Sequence, residues 1–303
     1  MSKIAKGTIL TLVAGIAWGL SGTSGQYLMA HGFSVLVLTN VRLLIAGALL
    51  VLYMVLTNRR KLIEMIKDPK AMMPLALFAL LGLLLNQFAY LKSIYESNAG
   101  TATVLQYVCP VGILAYTCLK DRVAPTVTEV LSMILAVGGT FLIATHGQLN
   151  QLSVTPAGLF WGLFAAFTYA LYILIPIQLI KTWGSIPVIG VGMMFAGLVL
   201  TPFSGILRFH WRLSMEVYLA LAGIILVGTI LAYTLFLKGT SLVGPVKSSL
   251  LAAVEPISAV FFAFLIMHEQ FYLVDFAGMF MILSAVFLIS IKDLILEKRK
   301  GIL

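Results

Sequence analysis

Residues 34–57 read SVLVLTNVRLLIAGALLVLYMVLT, 24 positions among which Arg42 is the one charge. A helix of that length rises about 36 Å at about 1.5 Å per residue, enough to cross a hydrocarbon core about 30 Å thick. The apolar residues run on continuously instead of alternating, which excludes a strand of a membrane β-barrel. In lipid, such a stretch must satisfy its backbone polar groups within itself, as a helix does. The pattern recurs along the chain, at roughly 8–30, 34–57, 72–91, 98–118, 126–145, 157–180, 187–207, 215–237, 245–267 and 271–291. Of 303 residues, 61% are hydrophobic and 10% charged, against about a quarter charged in a soluble domain. We expect an all-α integral membrane protein with ten transmembrane helices, short loops and no room for a soluble domain.

The opening MSKIAKG and the apolar residues after it look superficially like a signal peptide. The apolar region is too long and lacks an A-x-A-type cleavage site, so it is read as the first span. Cys109 and Cys118 lie nine positions apart on one expected helix, about 13 Å, too far for a disulfide between them. The net charge of +9 is unevenly placed. With both termini cytoplasmic, fifteen basic residues fall inside, including Lys3, Lys6, Arg59, Arg60, Lys61, Lys120 and Arg122. Three, Lys92, Arg208 and Arg212, fall outside. That bias sets orientation in the cytoplasmic membrane and attracts anionic lipid; a nucleic-acid partner is not expected.

Sliding the second half over the first by 146 positions sets Lys92 on Lys238, Pro110 on Pro256 and Phe141-Leu142-Ile143 on Phe287-Leu288-Ile289. An offset of 151 sets Trp18 on Tyr169. Each half holds five spans, an odd number, so the second enters the membrane inverted. The chain therefore divides into 1–150, a first five-helix repeat, and 151–303, a second, inverted one. Inverted repeats around a central cavity are a transporter architecture, because two related halves can exchange conformations.

The stretches AGIAWGLSG (14–22), VRLLIAGALL (41–50) and AAVEPISAVFFAFLIMHE (252–269) resemble the drug/metabolite transporter superfamily, and specifically its EamA family. The resemblance runs over essentially the whole chain. It implies ten helices in two inverted bundles around a substrate cavity, moving small metabolites by alternating access; the superfamily includes carriers of amino acids, nucleotide sugars and quaternary ammonium compounds. The two halves differ at one telling place, since Cys109 occupies the position of Glu255.

Glu255 interrupts the apolar run LLAAVEPISAVFF (250–262). A charge at mid-membrane costs at least about 2.5–3.5 kcal/mol, so it should face a cavity or a partner. Desolvation favours the neutral form of a carboxyl, which suits Glu255 to proton or cation coupling. Pro256 cannot donate to the carbonyl of Ala252, which is expected to be left free for water or ligand. The plainer reading makes Glu255 half of a permanent ion pair with Arg42 or Lys247. Arg42, which keeps its charge when buried, and Lys247, which can snorkel to the inner interface, are read as structural polar residues, as is Pro256.

Trp161, Trp183, Trp211 and Tyr272 fit the interfacial belt of a membrane protein. Trp18, Tyr107 and Tyr169 sit near the middle of their spans. There a ring face can stack a planar ligand or enclose an alkylammonium by a cation–π contact of about 2 kcal/mol; alternatively they only pack. Among the mid-span amides Gln26, Asn40, Asn86, Gln87 and Gln106, the last is adjacent to Tyr107. Asn40 and Gln87 also suit interhelical bonding. Gly15, Gly19, Gly22 and Gly25 make the small-xxx-small spacing of close helix approach. His31, His146, His210 and His268 fall in loops or at helix ends, and no metal motif is expected from them.

Trp18, Gln106, Tyr107, Tyr169 and Glu255 are thus the expected substrate-binding residues of a secondary transporter for a small polar or amphipathic metabolite. An amino acid or related compound is the first candidate, with protons as coupling ion; a choline-like quaternary ammonium is the alternative. No Walker A, H-E-x-x-H or G-x-S-x-G sequence occurs, so neither internal ATP use nor those enzyme classes is expected, and no cofactor. An intramembrane enzyme would need paired catalytic groups at one depth, which the spans do not offer.

Overall fold

The computed structural model describes residues 2–97, 99–145, 147–148, 155–209, 214–267 and 272–299. In chain order its helices are α1 (Lys3–Ala30), α2 (Val35–Lys67), α3 (Pro69–Glu96), α4 (Ala99–Gln106), α5 (Cys109–Asp121), α6 (Val127–Thr145) and α7 (Pro156–Leu174). After these come α8 (Ile177–Trp183), α9 (Ser185–Ser204), α10 (Met215–Val243), α11 (Pro245–Leu251), α12 (Val254–Met267) and α13 (Leu273–Arg299). No strand occurs among the described residues. Seven helical stretches among them are long and apolar enough to cross a bilayer: Lys3–Ala30, Val35–Lys67, Pro69–Glu96, Pro156–Trp183, Ser185–Ser204, Met215–Val243 and Pro245–Ile266. Val127–Ile143 and Leu273–Leu288 are shorter apolar helices. The expected span 98–118 is divided between α4 and α5.

Local chemistry sets the helix ends. Ser2, Ser34, Thr155 and Ser214 each accept a hydrogen bond from the backbone three residues on, capping α1, α2, α7 and α10. Gly184 and Gly244, at φ +85° and +87°, turn the chain where a Cβ would be strained. Pro245 then starts the next helix, where its missing N–H has no partner to lose. The second span was expected to end at 57, yet α2 continues to Lys67. Asn58 leaves helical geometry (φ −153°, ψ 59°) and its side chain accepts from Lys61 N at 3.2 Å, so it caps a fresh helical segment.

Two helices depart from α geometry within the span. Phe78–Leu84 of α3 and Gly223–Leu231 of α10 are wound as π-helix, a wider turn that is rare and concentrates at functional sites.

The helices pack in pairs. α2 lies along α9, α6 along α13, α1 along α10 and α12, and α3 and α4 along α7. Glycines set several of these contacts. A Cβ on Gly139 would stand 2.6 Å from the carbonyl oxygen of Gly278, and one on Gly278 2.6 Å from that of Gly139. Asn40 joins α2 to α9, donating from Nδ2 to the carbonyl of Gly197 at 2.8 Å. Large apolar side chains cover the outside, with Leu56 76% and Phe203 74% exposed. A soluble monomer would not expose so much hydrocarbon, whereas a bilayer solvates it.

Candidate functional site

A cavity of about 40 Å³ lies among α1, α2, α3, α4, α7, α10 and α12. At about 10–15 Å³ per water it holds roughly three. α1 contributes Trp18, Ser21 and Gly22, α2 Arg42, and α3 Asn86, Gln87, Tyr90 and Leu91; α4 contributes Gln106, α7 Tyr169, α10 Tyr233 and α12 Glu255. Residues from before 150 and after 151 thus share one small polar chamber inside an apolar shell.

Arg42 is 4% exposed. Its Nε donates to Thr229 Oγ1 at 3.1 Å and its Nη2 to Ser21 Oγ at 3.4 Å. Thr229 in turn donates to the carbonyl of Ile224 at 2.6 Å, inside the π-wound stretch, which fixes the hydroxyl that receives Nε. Glu255 is 7% exposed. No ion pair joins it to Arg42 among the described residues, so the paired-charge reading of these two fails at the level of contact. The two charges share a chamber and do not touch. Lys247 is buried on α11.

The backbone beside Glu255 corrects one expectation. The Ala252 carbonyl is not free. It accepts the Glu255 N–H at 2.8 Å and the Tyr107 hydroxyl at 2.5 Å. Pro256 removes the donor that would continue a helix through this point, and Glu255 supplies a tighter turn in its place. The chain therefore breaks between α11 and α12, and Pro256 sits in the first turn of α12, where a proline is tolerated. Tyr107, expected among the binding residues, is buried outside the chamber lining, with its hydroxyl engaged at that break.

The amides differ from one another. Gln106 Nε2 donates to Asn86 Oδ1 at 3.5 Å. Gln87, 1% exposed, has no protein partner for either Oε1 or Nε2, although the sequence suggested it as interhelical glue; Asn40 does bond between helices. Gln26 is half-buried and outside the lining. The Tyr169 hydroxyl is likewise without a protein partner.

One aromatic cluster flanks the chamber. Trp18 meets Tyr169 at 5.9 Å between ring centroids and Tyr233 at 5.5 Å, both edge to face, and Phe236 at 4.7 Å. Such geometries favour the ring quadrupoles. Ser21, Tyr90, Leu91 and Tyr233 escaped the sequence reading. The 146-residue offset carries Gln87 onto Tyr233, and that correspondence was a signal that could have found the tyrosine.

Of the remaining sequence candidates, His31 stacks on Tyr27 and its Nδ1 lies 2.8 Å from the Tyr27 carbonyl. Cys109 and Cys118 are unbridged. His146, His210, His268, Trp211 and Arg212 lie outside the described residues.

Comparison with known proteins agrees with this construction. The model of the EamA-like transporter family matches residues 5–145 and 156–291. The inner membrane transporter YicL of Salmonella typhimurium, named as uncharacterised, is 38% identical over 96% of this chain and 97% of its own. The transporter YwfM of Bacillus subtilis, also named as uncharacterised, is 26% identical over 83% of this chain and 82% of its own. A crystal structure superimposes with a TM-score of 0.78 at 14% identity, covering 97% of this chain and 99% of that one, a likeness of fold alone. With a family match on both halves and a relative aligned over nearly its full length, this multi-pass membrane protein belongs to the EamA-like transporter family.

Proposed function

We propose that the protein is a secondary active transporter that moves a small polar or amphipathic metabolite, an amino acid or related compound, across the cytoplasmic membrane by alternating access. The observation that carries this reading is the buried chamber with Arg42 and Glu255 in its walls. Charged groups placed at that depth mark substrate and ion pathways, and a chamber bounded by both halves of the chain suits a site that faces each side in turn. Glu255 serves as the proton site, and Trp18, Gln106, Tyr169 and Glu255 contact the substrate, with Tyr107 holding the α11–α12 break.

The same reading takes the chain as ten spans in two inverted halves. The packing supports it, since α2 with α9 and α6 with α13 pair equivalent helices. The contacts of α1 with α10, α11 and α12 are mirrored by those of α7 with α3, α4 and α5. Two further observations favour it: the breaks after Gln106 and after Leu251 both precede a proline, Pro110 and Pro256, and the π-wound stretches begin at 78 and 223.

A quaternary ammonium substrate is the second reading, favoured by the rings of Trp18, Tyr169 and Tyr233 beside Glu255. Thermal stabilisation of purified protein by a panel of amino acids, amines and choline separates the two, because a ligand stabilises what it binds. Flux in proteoliposomes then tests the mechanism. Saturable flux driven by a pH gradient is expected, with Glu255→Gln losing accumulation while retaining exchange of labelled for unlabelled substrate. Non-saturating flux would mean a channel, and accumulation by Glu255→Gln on a proton gradient alone would remove the proton role.

A further inference from the structure

We propose that Arg42 is the anion-binding pole of the transport site and that the chamber is built for a zwitterion, with the ligand's carboxylate on Arg42 and its ammonium on Glu255. This rests on reading the chamber as the transport site and adds the charge pattern of what it takes.

The argument begins with what Arg42 lacks. Its charge persists on burial, yet its described hydrogen-bond partners are two neutral hydroxyls, Thr229 and Ser21. A guanidinium has five N–H donors, so these two bonds orient the planar fork and leave donors over. A carboxylate, which such a fork binds in two parallel hydrogen bonds, supplies the missing counter-charge. Glu255, on another helix of the same chamber, likewise has a neutral hydroxyl, that of Tyr107, as its side-chain partner. If the pair existed only to tie helices together, direct contact would compensate both charges, since a buried charge left unpaired is strongly destabilising. The structure keeps them apart instead, with no ion pair between them among the described residues.

A ligand carrying both signs closes this gap, and ligands with one sign do not. Choline would satisfy Glu255 and the rings of Trp18 and Tyr233 but leave Arg42 uncompensated beside a second cation. A simple carboxylic acid would satisfy Arg42 and repel Glu255. Gln87 adds an independent sign that the chamber awaits a polar occupant: its buried amide has no protein partner at either atom and stands in the lining. An amide offers both a donor and an acceptor, which suits either pole of a zwitterion.

The test uses the full-length protein in detergent and in proteoliposomes, with ligands matched in shape and different in charge. The panel comprises the L-amino acids, their amides, the corresponding amines and carboxylic acids, choline and glycine betaine. In the unaltered protein, zwitterions are expected to bind at least 10-fold more tightly than the amides and amines that lack the carboxylate. Arg42→Gln is expected to bring the ratio between an amino acid and its amide close to one, with Arg42→Lys recovering part of it. If the Arg42 variants do not fold, the ligand ratios in the unaltered protein decide alone. Amides, amines or choline binding as well as zwitterions overturns the proposal, as does an unchanged ratio in folded Arg42→Gln, and either result leaves the transporter reading standing. Absence of binding and flux across the whole panel overturns both.

Discussion

Tyr107 does its work through one hydroxyl. The Ala252 carbonyl has two donors, Tyr107 and the Glu255 N–H, and together they hold the break that presents Glu255. Tyr107→Phe removes one of them and keeps the ring, so stability should fall by about 1 kcal/mol, read as a lower melting temperature. Glu255 should also sit less firmly, raising KM more than it lowers kcat. An unchanged melt and KM would show that the bond positions nothing. Trp18 belongs to the site and to the core at once, being 8% exposed with four rings around it. Trp18→Ala should weaken ligand binding by about 1–3 kcal/mol and also destabilise the fold, by about 3 kcal/mol. Trp161→Ala, on a half-buried ring packed against Phe88, Phe160 and Phe164, should leave affinity nearly unchanged in titration calorimetry. Equal losses of affinity would mean that contact with the chamber is irrelevant to binding.

The helix elements separate packing from function within one glycine stripe. A Cβ on Gly19 would lie 2.6 Å from the backbone nitrogen of Ala259, an atom that cannot yield without moving α12. On Gly22 the nearest atom would be the Tyr90 hydroxyl at 3.5 Å, an ordinary contact inside the chamber. Gly19→Ala should therefore lower the melting temperature. Gly22→Ala should hold or raise it, since alanine favours a helix interior by about 0.5–1 kcal/mol, while the added methyl narrows the chamber and slows flux. A shift in the same direction for both would mean that the two faces of α1 are not distinct. The stripe itself was legible in the sequence because small residues at helical spacing are conspicuous. Arg42, Asn86, Gln106 and Glu255 were legible for a related reason, each being polar in an apolar run. Tyr90 and Tyr233 were not, because tyrosine near a span end reads equally well as an interfacial anchor. The break at Ala252 was only half legible: Pro256 announces a lost donor, but that Tyr107, 145 positions earlier, would take the carbonyl is a tertiary fact.

At the scale of the whole molecule, the number of crossings fixes which sides the termini occupy. Seven helical stretches among the described residues are long and apolar enough to span unaided, and an odd number would set the termini on opposite sides. Ten crossings return both to one side. The difference lies in three segments: the α4–α5 pair, divided at Tyr107–Val108, and the shorter apolar helices Val127–Ile143 and Leu273–Leu288. Each has a physical reason to cross. α4 carries Gln106 into the chamber, α6 and α13 pack along one another through Gly139 and Gly278, and a helix broken beside protein keeps its freed backbone groups away from lipid. The basic residues agree, with fifteen inside and three outside only if all ten cross. Reporter fusions at each terminus should therefore both be active on the cytoplasmic side, and one inserted in 147–155 on the outer side; of that stretch, 149–154 lie outside the described residues. Termini on opposite sides would sink the ten-span count and, with it, the inverted halves on which alternating access depends. Termini together, with the 147–155 reporter also inside, would keep an even count but break the chain into halves of even span number. The two halves would then be parallel, and a mechanism of exchange between inverted halves would have no basis.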